Sequence, residues 1–280
     1  MEISLPSSLR EALALLARNP DTTVVAGGTD LMVAMNFGRI RPERLMSLRR
    51  VPEMRTIKPG SDTYVGAGAT FTQMLGTIED PALVLAAKTV GSPPIRNAGT
   101  LGGNLATCSP AGDALPPLAA LDASVLIASA AGERQVKVSA FMLGPKQPDL
   151  RPGELILGVR WRRAGLAQAF LKAGTRNAMV IAVASLALVL DKERRRVGMA
   201  LGSVGPTVIR AIAAELFAQS WLEDRDWRPG TPTQAALDRF ASLAAESARP
   251  IDDVRGSALY RRHVIGLMAR RALERTCASL

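Results

Sequence analysis

The sequence has little of what catalytic and metal sites are usually built from. Its 280 residues include one histidine and two cysteines, so zinc sites and four-cysteine iron–sulfur clusters cannot be filled from this chain. Any metal in its chemistry belongs to other chains. Aromatic residues are 4% of the total, too few for the stacking platforms of single-strand nucleic-acid binders. No apolar run reaches the ~20 residues of a membrane helix; the longest, from Ala178 to Leu190, reads as a buried element. An apolar signal region is missing too. Glu2 precedes any basic residue, and Ser8 with Glu11 reads as a capping box opening an amphipathic helix, so a cytoplasmic location is expected. Cys108 and Cys277 lack paired spacing and read as free thiols without a redox role.

What is present is an ordinary globular composition, 48% hydrophobic and 21% charged, with length for about two domains at ~150 residues each. A net charge of +10 raises the question of nucleic acid. Against it, the clusters Arg160 to Arg163, Lys192 to Arg196, Arg261 to Arg262 and Arg270 to Arg271 are separated by apolar segments. They read as solvated faces or a protein interface.

Leu9, Ala12, Leu13 and Leu16 mark one helix face, followed by a short strand over Thr22 to Ala26, a glycine junction, and a possible helix from Leu31 to Met35. Tyr64 to Ala69 reads as a strand with a helix after it. Gly66 and Gly68 are not a dinucleotide fingerprint, because Phe71 stands where the third glycine belongs. The densest punctuation, from Gly91 to Pro117, reads as a long loop, and such loops are usually functional. Strands are expected over Ala123 to Ala128, Arg134 to Val138 and Leu155 to Trp161. Met179 to Leu190 and Val197 to Val204 then form a hairpin tipped by the charged Asp191 to Arg196. Helices follow. Val208, Ile212 and Leu216 mark the first; Thr231-Pro232 with Gln234 caps a second through Leu237, Phe240 and Ala244; Tyr260, Val264, Leu267 and Met268 share a face of the last. This is an α+β arrangement, with a domain boundary expected near Gly165.

Two glycine runs sit at such junctions: Val24-Val25-Ala26-Gly27-Gly28-Thr29-Asp30-Leu31, and Thr100-Leu101-Gly102-Gly103-Asn104. Glycine lets backbone N–H groups converge on a phosphate because it has no Cβ and accepts positive φ. The Thr100 hydroxyl and Asn104 amide offer further hydrogen bonds, and Asp113 is suited to ribose hydroxyls. Two phosphate cradles and a ribose acceptor would fit an adenine dinucleotide. On the residues alone, plain tight turns explain the glycines equally well. His263 reads as a partly buried helical histidine, and the acidic pairs Glu79-Asp80 and Asp252-Asp253 fit caps and turns as well as acid–base work.

Ala26 to Leu31, Ile95-Arg96-Asn97-Ala98-Gly99-Thr100-Leu101-Gly102-Gly103-Asn104-Leu105-Ala106 and Ser109-Pro110-Ala111-Gly112-Asp113 resemble the FAD-binding medium subunit of the molybdenum hydroxylases, the group of xanthine dehydrogenase and carbon monoxide dehydrogenase. The likeness runs over nearly the whole chain, since Ile251-Asp252-Asp253-Val254-Arg255-Gly256-Ser257 and Tyr260-Arg261-Arg262-His263 resemble the end of that subunit. Thr29-Asp30 is closer to the xanthine, aldehyde and heteroaromatic branch, because the carbon monoxide branch tends to have Gln-Ser there.

The resemblance implies an FAD-binding domain like that of vanillyl-alcohol oxidase over residues 1–165, in two subdomains of about 1–55 and 56–165. A smaller α+β domain over 166–280 would resemble the C-terminal domain of carbon monoxide dehydrogenase flavoproteins. The two glycine runs would cradle FAD, Asp113 would bind on the nucleotide side, and Ile156 and Lys172 would line the flavin. Val180 departs from the pattern, standing where many relatives have Asp. The FAD would be noncovalent, since neither cradle has a His or Cys. No catalytic acid or base is implied. Partners would be a molybdopterin-binding large subunit and a small subunit with two 2Fe–2S clusters, and electrons would pass through FAD to NAD or another acceptor. A flavin-less docking subunit and a basic nucleic-acid-binding protein are the alternatives.

Overall fold

The computed structural model describes residues 1–280. The chain begins with a small parallel unit made of β1 (Glu2–Ser4), α1 (Leu9–Arg18), β2 (Thr23–Val25), α2 (Leu31–Asn36) and β3 (Arg44–Ser47). β3 lies between β1 and β2, parallel to both. Helix α1 forms where Ala12 and Leu16 turn inward and the Ser8 hydroxyl accepts the Glu11 N–H. The Glu11 carboxylate reaches Ser7 rather than Ser8, so the capping box closes one residue early. β1 was not expected; three residues are too few to show a period of two.

Next come β4 (Ile57–Lys58), β5 (Asp62–Gly66), α3 (Phe71–Leu75), α4 (Pro81–Thr89), α5 (Pro93–Ala98), α6 (Leu101–Thr107), α7 (Leu115–Ala120), β6 (Ser124–Ser129), β7 (Gly132–Lys137), α8 (Val138–Phe141), β8 (Met142–Gly144), β9 (Gln147–Pro148) and β10 (Leu155–Arg162). An antiparallel sheet runs β4-β5-β10-β6-β7. The expected long loop between Gly91 and Pro117 instead holds two short helices, α5 and α6, and the first half of a third, α7. The prolines occupy first-turn positions, where their missing N–H costs nothing, and Gly99 follows the last residue of α5.

The remainder holds β11 (Gln168–Ala173), β12 (Ala184–Asp191), β13 (Arg196–Gly202), β14 (Ile209–Arg210), α9 (Ile212–Glu223), α10 (Gln234–Ser247) and α11 (Ala258–Ala278). Its antiparallel sheet runs in chain order. All eight residues of β12 are buried because both faces of the strand are covered. Ala187 and Val189 join the core of the N-terminal part, while Leu186, Leu188 and Leu190 join the core under the C-terminal helices. That two-sided burial explains the continuous apolar run. α4 packs on β11 and α7 on β12 and β13. Arg210 and Arg196 donate to the Ala119 and Ala120 carbonyls at 3.2 and 3.3 Å, tying the same face to the end of α7.

Several helical expectations need correction. β12 begins at Ala184, leaving Met179 and Ile181 exposed on the loop before it. Val208 precedes β14, and Ile212 and Leu216 point outward while Ala214, Ala218 and Leu222 form the buried face of α9. Thr233, not Thr231, caps α10. On α11 the inward face is Arg261, Val264, Ile265 and Met268; Tyr260, Leu267 and His263 are exposed. On α9 small residues pack inward, so the larger apolar residues are poor guides to its face. No helix is long and apolar enough to cross a membrane.

Candidate functional site

The fold brings the first glycine run against Ala98 and Gly99, immediately ahead of the second run. A Cβ on Gly27 would lie 2.0 Å from the Ala98 carbonyl oxygen and 3.0 Å from the Gly99 Cα, so only glycine permits this approach. Gly28 takes φ +72°, and the chain then enters α2 at Asp30, whose carboxylate accepts from Thr107 of α6 at 3.3 Å. The N–H groups of Gly27, Gly28, Thr29 and Asp30 donate to no group of the protein. Four successive free donors, three of them on half-buried residues, make a nest for an anion.

The second run behaves differently from the expectation. Leu101 and Gly102 donate their N–H groups to the Ala69 and Ala67 carbonyls at 3.1 and 2.8 Å, and Gly103 donates to the Thr100 hydroxyl oxygen at 3.1 Å. These amides cap α6 and dock it on the 66–70 turn. Leu101 is fully buried in the core. Gly102 is required by packing, since a Cβ there would meet the Ala67 Cβ at 2.5 Å. A phosphate therefore finds its backbone donors in the first run, with the second supplying the Thr100 side chain and a close, bare surface at Gly103.

A cleft of about 550 Å³ opens over this contact, lined by Ala26, Gly27 and Thr100 and by the side chains of Arg49 and Arg55. Sequence patterning missed the two arginines, which come from the segment after β3 and only the fold delivers. An inner cavity of about 120 Å³ adjoins it through Ala26, with Val24, Gly102, Gly103, Leu155 and Ile156 on its walls. Val25 pairs with Ser47 in the sheet, and Leu31 opens α2.

Beyond Gly103 the Asn104 side chain stands against Gly112, and its Oδ1 is buried without a hydrogen-bond partner. The neighbouring Asp113 also has a buried, unpartnered Oδ1. Its other oxygen accepts from Lys172 Nζ at 2.6 Å and from the Thr89 hydroxyl at 3.1 Å. Burial pushes the Asp113 carboxyl above its ordinary value, and the Lys172 ammonium opposes this. Asp113 and Lys172 are thus one charge-paired unit rather than residues at two ends of a ligand. Lys172 and Thr89 form the wall of a second cleft of about 480 Å³, which continues over Arg176 and Val180. A buried acceptor without a donor is costly; the two here, together with the anion nest, fit a ligand that carries hydroxyl or N–H donors as well as phosphates. FAD carries both.

Comparison with known proteins identifies the chemistry. Residues 1–161 match the FAD-binding domain in molybdopterin dehydrogenase, and residues 168–276 match the CO dehydrogenase flavoprotein C-terminal domain. The carbon monoxide dehydrogenase medium chain of Hydrogenophaga pseudoflava is 30% identical, over 98% of this chain and 96% of that one. The xanthine dehydrogenase FAD-binding subunit of Escherichia coli O157:H7 is 28% identical, over 98% and 94%. A crystal structure of a Cu,Mo-containing CO dehydrogenase matches with TM-score 0.89 at 28% identity, covering 100% of this chain and 98% of that one. Two domain matches in order, end-to-end similarity and a site that fits the cofactor agree: the chain belongs to the FAD-binding medium subunits of the molybdenum hydroxylases.

Proposed function

We propose that the chain accepts electrons from the 2Fe–2S clusters of a partner subunit and passes them, through noncovalent FAD, to NAD or another acceptor. FAD supplies the exchange between one-electron and two-electron steps; the protein positions it and tunes its potential. The observation that carries the reading is the anion nest at residues 27–30, with the unpartnered oxygens of Asn104 and Asp113 beside it as further acceptors. The nest and Thr100 hold the pyrophosphate, assisted by Arg49 and Arg55. Gly103, Val24 and Ile156 shape the inner cavity. Asn104 Oδ1 and Asp113 Oδ1 are the free acceptors for the cofactor's donors, and Lys172 holds Asp113 by its other oxygen. Substrate oxidation falls to a molybdopterin-binding large subunit, as in the complexes whose medium chains this chain matches, and the chain works in a heteromer of three different subunits. A division near residue 165 is supported by the family matches, which end at 161 and begin at 168, and subdomains meeting near 55 by the separate sheets on either side of that point.

The test is co-expression with the neighbouring subunits. The complex should reduce its acceptor when substrate is supplied, and NADH should reduce the flavin from the acceptor side. A complex that oxidises substrate while its flavin stays oxidised would contradict the route, and a complex without flavin would establish the docking role instead.

A further inference from the structure

The Asp253 and Arg261 motif of the C-terminal segment is not accounted for by cofactor contacts. The Arg261 to Arg262 cluster was expected to be a solvated face or a protein interface, yet Arg261 is 3% exposed. Its Nη1 donates to the Val183 carbonyl at 3.0 Å and to the Ser203 carbonyl at 2.7 Å, and its Nη2 pairs with Asp253. Asp253 is itself held by the Arg255 backbone N–H and guanidinium.

Neither carbonyl lines the second cleft, but each belongs to a segment connected to it. Val183 closes the loop of residues 174–182 by donating to the Ala173 carbonyl at 2.8 Å, and that loop carries Arg176 and Val180 over the cleft. Ser203 donates its N–H to the Pro110 carbonyl at 2.8 Å, three residues before Asp113. Ser203 is buried, has φ +62° and leaves its hydroxyl without a partner. A serine persists in that conformation only when its surroundings over-determine it. Here its N–H is fixed from the Asp113 side and its carbonyl from Arg261.

We infer that Arg261 is a positioning residue for the flavin. One planar guanidinium joins the end of the loop over the second cleft to the segment that leads to Asp113, whose partner Lys172 lines that cleft, and so sets where the loop stands relative to that ion pair. The inference rests on the FAD reading of that cleft. Lysine cannot replace it, because a single ammonium lacks the rigid fork that serves two carbonyls and a carboxylate together.

The test uses the full-length chain loaded with FAD and three variants: Arg261→Lys, Asp253→Asn and Phe240→Leu. Phe240 is fully buried in the C-terminal core and does not line the second cleft, so its variant controls for lost stability. FAD release on dilution is followed by flavin fluorescence, and the visible flavin band is recorded before dilution. Arg261→Lys should release FAD at least tenfold faster with a shifted band. Asp253→Asn should change both in the same direction by less, and Phe240→Leu should keep the wild-type rate and band at equal or greater loss of Tm. If Arg261→Lys and Asp253→Asn lower Tm and leave release and band unchanged, Arg261 is structural only. A wild-type chain that takes up no FAD would instead overturn the flavin reading, and this inference with it.

Discussion

Replacing Gly27 and Gly28 separately by alanine distinguishes a phosphate nest from a tight turn. At Gly27 the new Cβ would stand 2.0 Å from the Ala98 carbonyl oxygen and 2.7 Å from its carbon. Backbone cannot yield as a side chain does, so residues 27–30 must move away from α5. Overpacking of this kind costs ~1–3 kcal/mol of folding stability. If two of the four free N–H groups lose their phosphate contacts, at ~1.5–3 kcal/mol for each hydrogen bond to a charged group, binding weakens by a further ~3–6 kcal/mol, or about two to four powers of ten. At Gly28 the nearest atom is the flexible Met32 Cγ at 3.2 Å, and the penalty is the left-handed backbone, ~1–2 kcal/mol, with the N–H groups left in place. Calorimetric titration with FAD, paired with urea unfolding of the apoprotein, separates the terms. Gly27→Ala should lose affinity far beyond Gly28→Ala at similar stability. Equal affinities in the two variants would refute the nest.

Gly103→Ala should leave apoprotein stability within about 1 kcal/mol, because helix propensity gained offsets a contact of 3.1 Å with the Thr100 hydroxyl, yet it should weaken FAD at least tenfold by filling part of the inner cavity, as equilibrium dialysis would report. Lys172→Met should cost ~3–5 kcal/mol by leaving Asp113 buried and unpaired. A carboxyl whose folded pKa lies above its unfolded value binds its proton more readily when folded, so stability falls as pH rises through that range and returns on acidification; denaturant melts at about pH 5 and pH 8 should show the smaller loss at the lower pH. Asp253 is held at about 2, chiefly by the Arg255 backbone N–H with the Arg255 and Arg261 side chains adding to it and burial opposing. Its contribution is present above the unfolded value of ~3.9 and is lost only as pH falls toward the folded one, so Asp253→Asn should cost the same at both pH values. Val180→Asp, placing a carboxylate in the second cleft, should lower the flavin midpoint potential measured by dye-linked reduction; an unchanged potential would remove Val180 from the flavin's surroundings.

Much of the site was legible because glycine and punctuation carry local meaning. The run at 24–31 pointed to a nest, and the structure gives residues 27–30 four free donors. Asp113 and Lys172 were singled out, but their pairing was not visible, since residues on α7's approach and on β11 meet only when α4 and α7 pack on the C-terminal sheet. The amides of residues 101–103 were misjudged for a related reason: sequence shows that a backbone can approach a ligand, not that its N–H groups already serve Ala67, Ala69 and Thr100. Arg49 and Arg55 carry no local signal. Helix faces failed where alanine rather than leucine turns inward, as on α9, and Arg261 was hidden because its charge is satisfied by two carbonyls that lie far away in the chain.

We propose that this chain holds one FAD noncovalently in the cleft beside the two glycine runs. This is tested most directly by titrating the purified full-length chain with FAD and then precipitating it with acid. One equivalent should bind, with the yellow colour passing wholly into the supernatant and affinity collapsing in Gly27→Ala. A chain that binds no FAD, or one whose colour stays in the precipitate, would contradict the account.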